Sequence, residues 1–350
     1  MERLLGTLVA DVADLGTSHE WSLRRVTLAD GRRVFVKEAR RRIDGLFAAE
    51  AAGLRWLRDG WRQATGAETP RVPGTPGEKS REKTPDEETP GEKTFGGETP
   101  AAKASVEGTQ EEESSGGARP REKTPGGKSS GDEESGPVPE VLAVDDTRLV
   151  LPWIESGSPT PEAAERFGRE LAVLHGAGAE AYGAPWRGYI ASLPLDNARG
   201  SSWPEWYAER RVLPYVRMAV NCGALSAGDA AELERAAERI PDVAGPEEPP
   251  ARIHGDLWSG NLLWGRDRAW LIDPAAHAGH RETDLAMLAL FGAPQLERIL
   301  AAYDETAPLA DGWRARVPLH QLHPLLVHVV LFGSSYRAQT LAAARSVLTS

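Results

Sequence analysis

Ile253-His254-Gly255-Asp256-Leu257-Trp258-Ser259-Gly260-Asn261, with Asp273-Pro274 a little further on, is the stretch from which the rest of this chain is read. Between the two lie Leu262-Leu263-Trp264, a turn at 265–268 and Trp270-Leu271-Ile272, the pattern of a tight hairpin. In a hairpin with strands 262–264 and 270–272, Asn261 and Asp273 fall at the same open end, and Asp256 sits on the loop that enters it. Two carboxylates and an amide oxygen can therefore converge. Hard oxygen donors of that kind suit Mg²⁺ bound together with substrate phosphates. A nearby carboxylate that is not used as a ligand can accept a proton from a hydroxyl. Phosphoryl transfer needs those parts. Alone, Asp256 would read as a turn or capping residue; its spacing from Asn261 and Asp273 turns the reading to catalysis.

The N-terminal part supplies what such a site lacks. Residues 21–28, the turn Ala29-Asp30-Gly31 and residues 34–37 read as a hairpin. A helix is expected from about Asp44, with Leu46, Phe47, Glu50, Leu54 and Leu57 at helical spacing. Lys37 then ends a strand and Glu50 rides the following helix. In protein kinases a strand lysine paired with a helix glutamate holds the α- and β-phosphates. The turn Gly16-Thr17-Ser18-His19-Glu20 is expected to cover the phosphates, although it offers one glycine and not a glycine-rich motif. Segments 140–144 and 148–154 read as strands. The second is the expected hinge, which puts Leu151 and Trp153 beside an adenine ring.

Beyond Thr160 the chain reads as mostly helical. Thr160 and Pro161 form a start signal and Gly176 a stop. Ser226 with Asp229 forms a capping box ahead of Ala230, Leu233, Ala237 and Ile240. Trp203, Trp206 and Tyr207 recur at helical spacing and read as core, with an acceptor-pocket wall as the alternative. His254 is expected to hold its own loop, and His280, Glu282 and Asp284 to buttress the metal-binding segment or cap a helix.

Composition bounds the rest. The 350 residues carry 41 basic and 52 acidic side chains, a net charge of −11, which argues against a nucleic-acid binder. Residues 66–136 hold 13 Gly, 8 Pro, 16 acidic and 10 basic residues, but only two Val and one Phe. Such a segment cannot bury enough apolar surface to offset its chain entropy, so it reads as a disordered insert. The single cysteine, Cys222, excludes a disulfide scaffold. Residues 1–20 lack a basic segment followed by an apolar run, so no secretory signal is expected and a cytoplasmic location is. Residues 317–336 are free of Asp, Glu, Lys and Arg, but their His, Gln, Pro and Ser make poor material for a bilayer span.

The motif 253–261 resembles the catalytic loop of the fructosamine kinase (ketosamine-3-kinase) family. Asp273-Pro274-Ala275 followed by Gly279-His280-Arg281-Glu282-Thr283-Asp284-Leu285-Ala286 is similar to that family's metal-binding segment. The shared core His-Gly-Asp-Leu-x-x-x-Asn also occurs in aminoglycoside phosphotransferases and choline kinases. The likeness spans about 1–65 and 137–340 and implies an α+β, two-lobed protein-kinase-like fold. A nucleotide-binding lobe would comprise 1–65 and 137–154, and a catalytic and substrate-binding lobe 155–350. It further implies ATP and Mg²⁺ as cofactors and transfer to the 3-hydroxyl of a ketoamine, free or protein-bound, as deglycation repair. Asp256 would be the base, Asn261 and Asp273 the metal ligands, Lys37 and Glu50 the phosphate-orienting pair, and Trp258 a stacking platform for the sugar. The chain departs from many relatives in having Ala276-His277-Ala278 where aromatics follow Asp-Pro-Ala. It has no cysteine before 222, so a monomer is expected rather than a dimer disulfide-linked through the phosphate-covering loop. Three rival readings are a small-alcohol kinase of the aminoglycoside or choline type, an inactive kinase fold, and a metal-dependent hydrolase built on His254, Asp256, His277 and His280.

Overall fold

Alternation along the first strands builds the small lobe. Val34 and Val36 face one side of the sheet, where they pack with Val26, Leu28 and Val150, while Phe35 and Lys37 face the other. The structure, a computed structural model, describes residues 2–18, 20–67 and 136–350. The expected insert therefore lies outside the described residues, apart from Gly66, Ala67 and Gly136.

After a single helical turn, α1 (Glu2–Leu5), come β1 (Val9–Ser18), β2 (Trp21–Leu28) and β3 (Arg33–Ala39), then α2 (Leu46–Thr65). Past residue 136, β4 (Ala143–Val144) and β5 (Arg148–Pro152) complete an antiparallel sheet in the order β1-β2-β3-β5-β4. The β3–β5 register sets Phe35 opposite Leu151 and Lys37 opposite Leu149. The helix expected from about Asp44 begins at Leu46, because Gly45 takes φ +79° and ends the preceding loop.

The first strand was not legible in the sequence, and it changes the place of Gly16. The expected turn at 16–20 is the end of β1, whose Ser18 pairs with Trp21. Gly16, at φ +93°, occupies a register shift between Asp14 and Thr17, where a bulge needs a left-handed residue. Leu15 and Ser18 of this strand, not Gly16, reach the cleft wall.

The helical lobe starts with α3 (Pro161–Gly176), capped by Thr160 as expected. The hairpin β6 (Gly188–Ile190) and β7 (Leu193–Leu195) follows, then α4 (Trp203–Tyr207), one π turn (Ala208–Val212), α5 (Leu213–Asn221) and α6 (Ala227–Val243). Both bonds of the Ser226–Asp229 capping box form. Trp203, Trp206 and Tyr207 are core. Next come β8 (Ala251–Ile253), a 3₁₀ turn (Ser259–Asn261), β9 (Leu262–Trp264), β10 (Ala269–Leu271) and β11 (His277–Gly279). The hairpin is one residue shorter than expected, and β8 pairs with β11. The chain closes with α7 (Glu282–Leu290), α8 (Leu296–Thr306), α9 (Trp313–Phe332) and α10 (Arg337–Thr349). Among the described residues no helix is long and apolar enough to cross a membrane.

One apolar core joins the lobes. Phe47, Leu54 and Leu57 of α2 pack in the same cluster as Phe167 and Leu171 of α3 and Leu262 and Leu271 of the hairpin. The helix that carries Glu50 is therefore fixed by burial on both sides.

Candidate active site

Lys37 projects from the cleft face of β3 and meets Glu50 of α2. Its Nζ donates to Oε2 at 3.0 Å and to Oε1 at 3.2 Å, and lies 3.2 Å from Asp273 Oδ1. The Trp21 ring is 5.2 Å from the same ammonium. Burial works against the charge on Lys37, but Asp273 and Glu50 more than reverse that and hold the ammonium well above its usual range. Burial pushes the Glu50 carboxyl up, with Lys37 pulling against it.

Asp256 and Asn261 form the second half. The Asn261 amide donates to the Asp256 carbonyl at 2.8 Å and to its Oδ2 at 2.9 Å. With its nitrogen so used, Asn261 has its amide oxygen left for a cation. Burial pushes the Asp256 carboxyl up to about 7; the Asn261 bond opposes this and the charges of Asp273 and Asp284 add to it. Asp273 sits in the left-handed region at φ +54°, which aspartate tolerates, and keeps 38% of its side chain exposed. An amide oxygen and an open carboxylate beside a buried lysine are a donor set that fits Mg²⁺ and phosphate.

The backbone around Asp256 is held from behind. Asp284 accepts from the backbone N–H of His254 at 2.7 Å and of Gly255 at 2.9 Å, and faces His175 Nε2 at 3.2 Å. His254 donates from Nε2 to the Ile272 carbonyl at 2.9 Å, and its Nδ1 accepts from the Asp256 N–H at 3.3 Å. Burial lowers the His254 pKa, so the ring is neutral and can bond in both senses. One imidazole thus ties the Asp256 loop to the residue before Asp273.

Two cavities meet at Asp273 and Asn261. One is an apolar slot with Leu23, Phe35, Leu151 and Trp153 from the sheet side and Leu263 and Ile272 from below. The other opens past Asp256 and is walled by Trp186, Tyr189, Ile190, Trp258 and Ala276. A flat aromatic base fits the first, and a polar acceptor over the half-buried Asp256 carboxylate fits the second.

A model of the fructosamine kinase family matches residues 132–350, more than half of the chain. The chain belongs to the fructosamine kinase family. It is 35% identical over 206 residues to a protein named a probable ketoamine kinase from Thermus thermophilus, covering 57% of this chain and 71% of that one. It is 32% identical over 203 residues to a chloroplastic protein-ribulosamine 3-kinase of Arabidopsis thaliana, covering 55% and 60%. A crystal structure described as that of a fructosamine-3-kinase from Thermobifida fusca superposes with a TM-score of 0.76 at 45% identity, over 100% of this chain and 97% of that one. This family member is accordingly a phosphotransferase with a two-lobed protein-kinase-like fold.

In this kinase the structure brings Lys37, Glu50, Asp256, Asn261 and Asp273 to one cleft, lined also by Leu151, Trp153 and Trp258. Trp258 is 37% exposed and its ring covers Gly260, where a side chain would collide. Sequence reasoning missed Trp21, under Lys37, and the wall formed by Trp186 and Tyr189. Neither carries a motif, and only the fold brings the latter pair, from β6 and the residues just before it, to the cavity that Asp256 lines. Asp284 buttresses the Asp256 loop rather than the Asp273 segment.

The imidazoles of the hydrolase reading do not gather. His277 Nδ1 meets the Ala275 carbonyl at 2.8 Å and His254 serves its loop. Among the described residues, the group close enough to share an ion is His280, Glu282 and His320, and it contains just one of the proposed ligands. Its carboxylate is already held by Arg316, at 2.9 Å and 2.5 Å. Burial would raise the Glu282 pKa, but His320 and Arg316 bring it down to about 2 from an ordinary 4.5. A depressed carboxyl gives stability that is present above the ordinary value and lost as pH falls toward 2. We expect Arg316→Met to cost about 3 kcal/mol at neutral pH and to make the acid limb between pH 5 and 2 shallower; urea unfolding at several pH values measures both.

Proposed function

We propose that this protein is an ATP- and Mg²⁺-dependent ketosamine 3-kinase that acts in the cytoplasm on sugar–amine adducts as a deglycation step. The observation that carries the reading is the half-buried Asp256 carboxylate, which borders both the phosphate-facing Lys37–Asp273 pair and the second cavity. Asp256 takes the proton of the acceptor hydroxyl as that oxygen bonds to the γ-phosphorus and the bond to the β-phosphate oxygen breaks. Lys37, oriented by Glu50, holds the α- and β-phosphates, and Leu151 and Trp153 border the adenine. Asn261 and Asp273 would hold Mg²⁺, which neutralises charge on the transferring phosphate. Trp258 stacks on the sugar, and Trp186 with Tyr189 closes the opposite side. Positioning and charge supply the rate, with no covalent enzyme intermediate.

The test is ATP consumption with Mg²⁺ on ribulose-lysine, fructose-lysine, glycated protein, aminoglycosides and choline. Turnover on the ketoamines and not on the others is expected. Turnover confined to another alcohol would retain the site roles and discard the substrate.

The insert is proposed to be dispensable. Gly66 ends α2 in the left-handed region, and Gly136 lies on Trp61 of the same helix end, where an added Cβ would come within 2.5 Å of the ring. The chain therefore leaves and returns at one place. Joining Ala67 to Gly136 by a short Gly-Ser linker should leave kcat unchanged and Tm within about 3 °C. Loss of folding would reject the disordered-insert reading.

A further inference from the structure

The face of α2 that carries Glu50 is held by the helical lobe at two glycines. At Gly53 an added Cβ would stand 3.0 Å from that of Ala276, and at Gly60 it would stand 2.7 Å from Cδ of Arg252. Residues 50, 53 and 60 share one side of the helix. A bulky side chain at 276 would not fit beneath Gly53, so the small residue there lets α2 lie directly on the Asp273–Ala276 segment.

Arg252 belongs to β8, two residues before His254. Its Nη1 donates to the Trp56 carbonyl, its Nη2 to Gln63 Oε1 and its Nε to the Gly178 carbonyl, each at 2.8 Å. The guanidinium also lies 4.8 Å from the Trp56 ring, which packs edge-on at 5.7 Å against Trp186 of the acceptor wall. A planar fork spreads its donors over three nitrogens and so reaches three oxygens on widely separated segments, farther apart than one ammonium nitrogen can span. Gly60 is what allows it, since any side chain there would displace the Arg252 stem.

We propose that Arg252 is a positioning residue for phosphoryl transfer. It clamps α2 to the strand that feeds the Asp256 loop, so that Glu50 stays on Lys37 before any nucleotide binds. The clamp also sets Trp186 through Trp56. The inference rests on the kinase reading above only for what Lys37 and Glu50 face.

The test is Arg252→Met, with Arg252→Lys and Gln63→Ala as milder variants should the first not fold. Hydrogen exchange at residues 47–56 in nucleotide-free protein should speed up about 10-fold, and kcat/KM for ATP should fall about 10-fold. In a Glu50→Gln background the same change should have less than about a 2-fold effect, since the route through Glu50 is already lost. Arg252→Lys should fall between wild type and Arg252→Met. A lowered Tm with unchanged exchange at 47–56 and unchanged kcat/KM would reduce Arg252 to ordinary stability and overturn the proposal. So would a full 10-fold loss that persists beside Glu50→Gln. If no ketoamine is turned over, the exchange data and ATP-binding affinity still decide the role of Arg252, and the failure falls on the substrate reading alone.

Discussion

Asp256→Asn should lower kcat by about 10³-fold or more while ATP affinity stays within about 2-fold. Asp256 contacts neither Lys37 nor Glu50; its side-chain bond goes to Asn261. The loop does not depend on its carboxylate either, because Asp284 holds the backbone N–H groups of His254 and Gly255 from behind. The substitution therefore removes a proton acceptor with little else disturbed, and Asp256→Ala should act alike. Steady-state turnover on the best ketoamine and calorimetric ATP binding separate the two quantities. Near-normal turnover would show that the acceptor loses its proton elsewhere, and a parallel collapse of ATP binding would make Asp256 a structural part of the nucleotide site.

Asp273→Asn should remove the opposite quantity. Mg²⁺-dependent ATP binding should weaken by about 10²-fold or more, since even outer-shell changes at metal sites cost up to that. Asparagine accepts the left-handed backbone at 273 at least as well as aspartate, so the change is one of charge and not of strain. Lys37 would also lose one of its two anionic partners, leaving Glu50 alone to orient it. ATP titrations with and without Mg²⁺ read the difference. A gain in affinity on adding Mg²⁺ as large as that of wild type would take Asp273 out of the metal site.

Residues whose partners are near in sequence could be read in advance. Asn261 and Asp273 flank a short hairpin, so local strand pairing alone puts them at one end. Lys37 and Glu50 lie 13 residues apart on consecutive elements, and their side chains meet. The caps at Thr160 and Ser226 needed only three residues each. Gly16 sits in a bulge near the β1–β2 turn, a place the sequence did not reveal because a single left-handed glycine serves a bulge as readily as a turn.

The amino-acid sequence by itself determined which carboxylates, amide and lysine gather at the cleft, and the two elements that carry Lys37 and Glu50. Only the tertiary structure decided how they are held and what they face. The cavity wall at Trp186 and Tyr189, the grip of Asp284 on the Asp256 loop and the pairing of β8 with β11 all join segments with no pattern in common. Arg252 meets Trp56 across 196 residues of chain. Periodicity and spacing report only the neighbours a residue has along the chain, whereas these contacts exist because two lobes bury a shared core and so bring distant backbone oxygens within reach of one guanidinium.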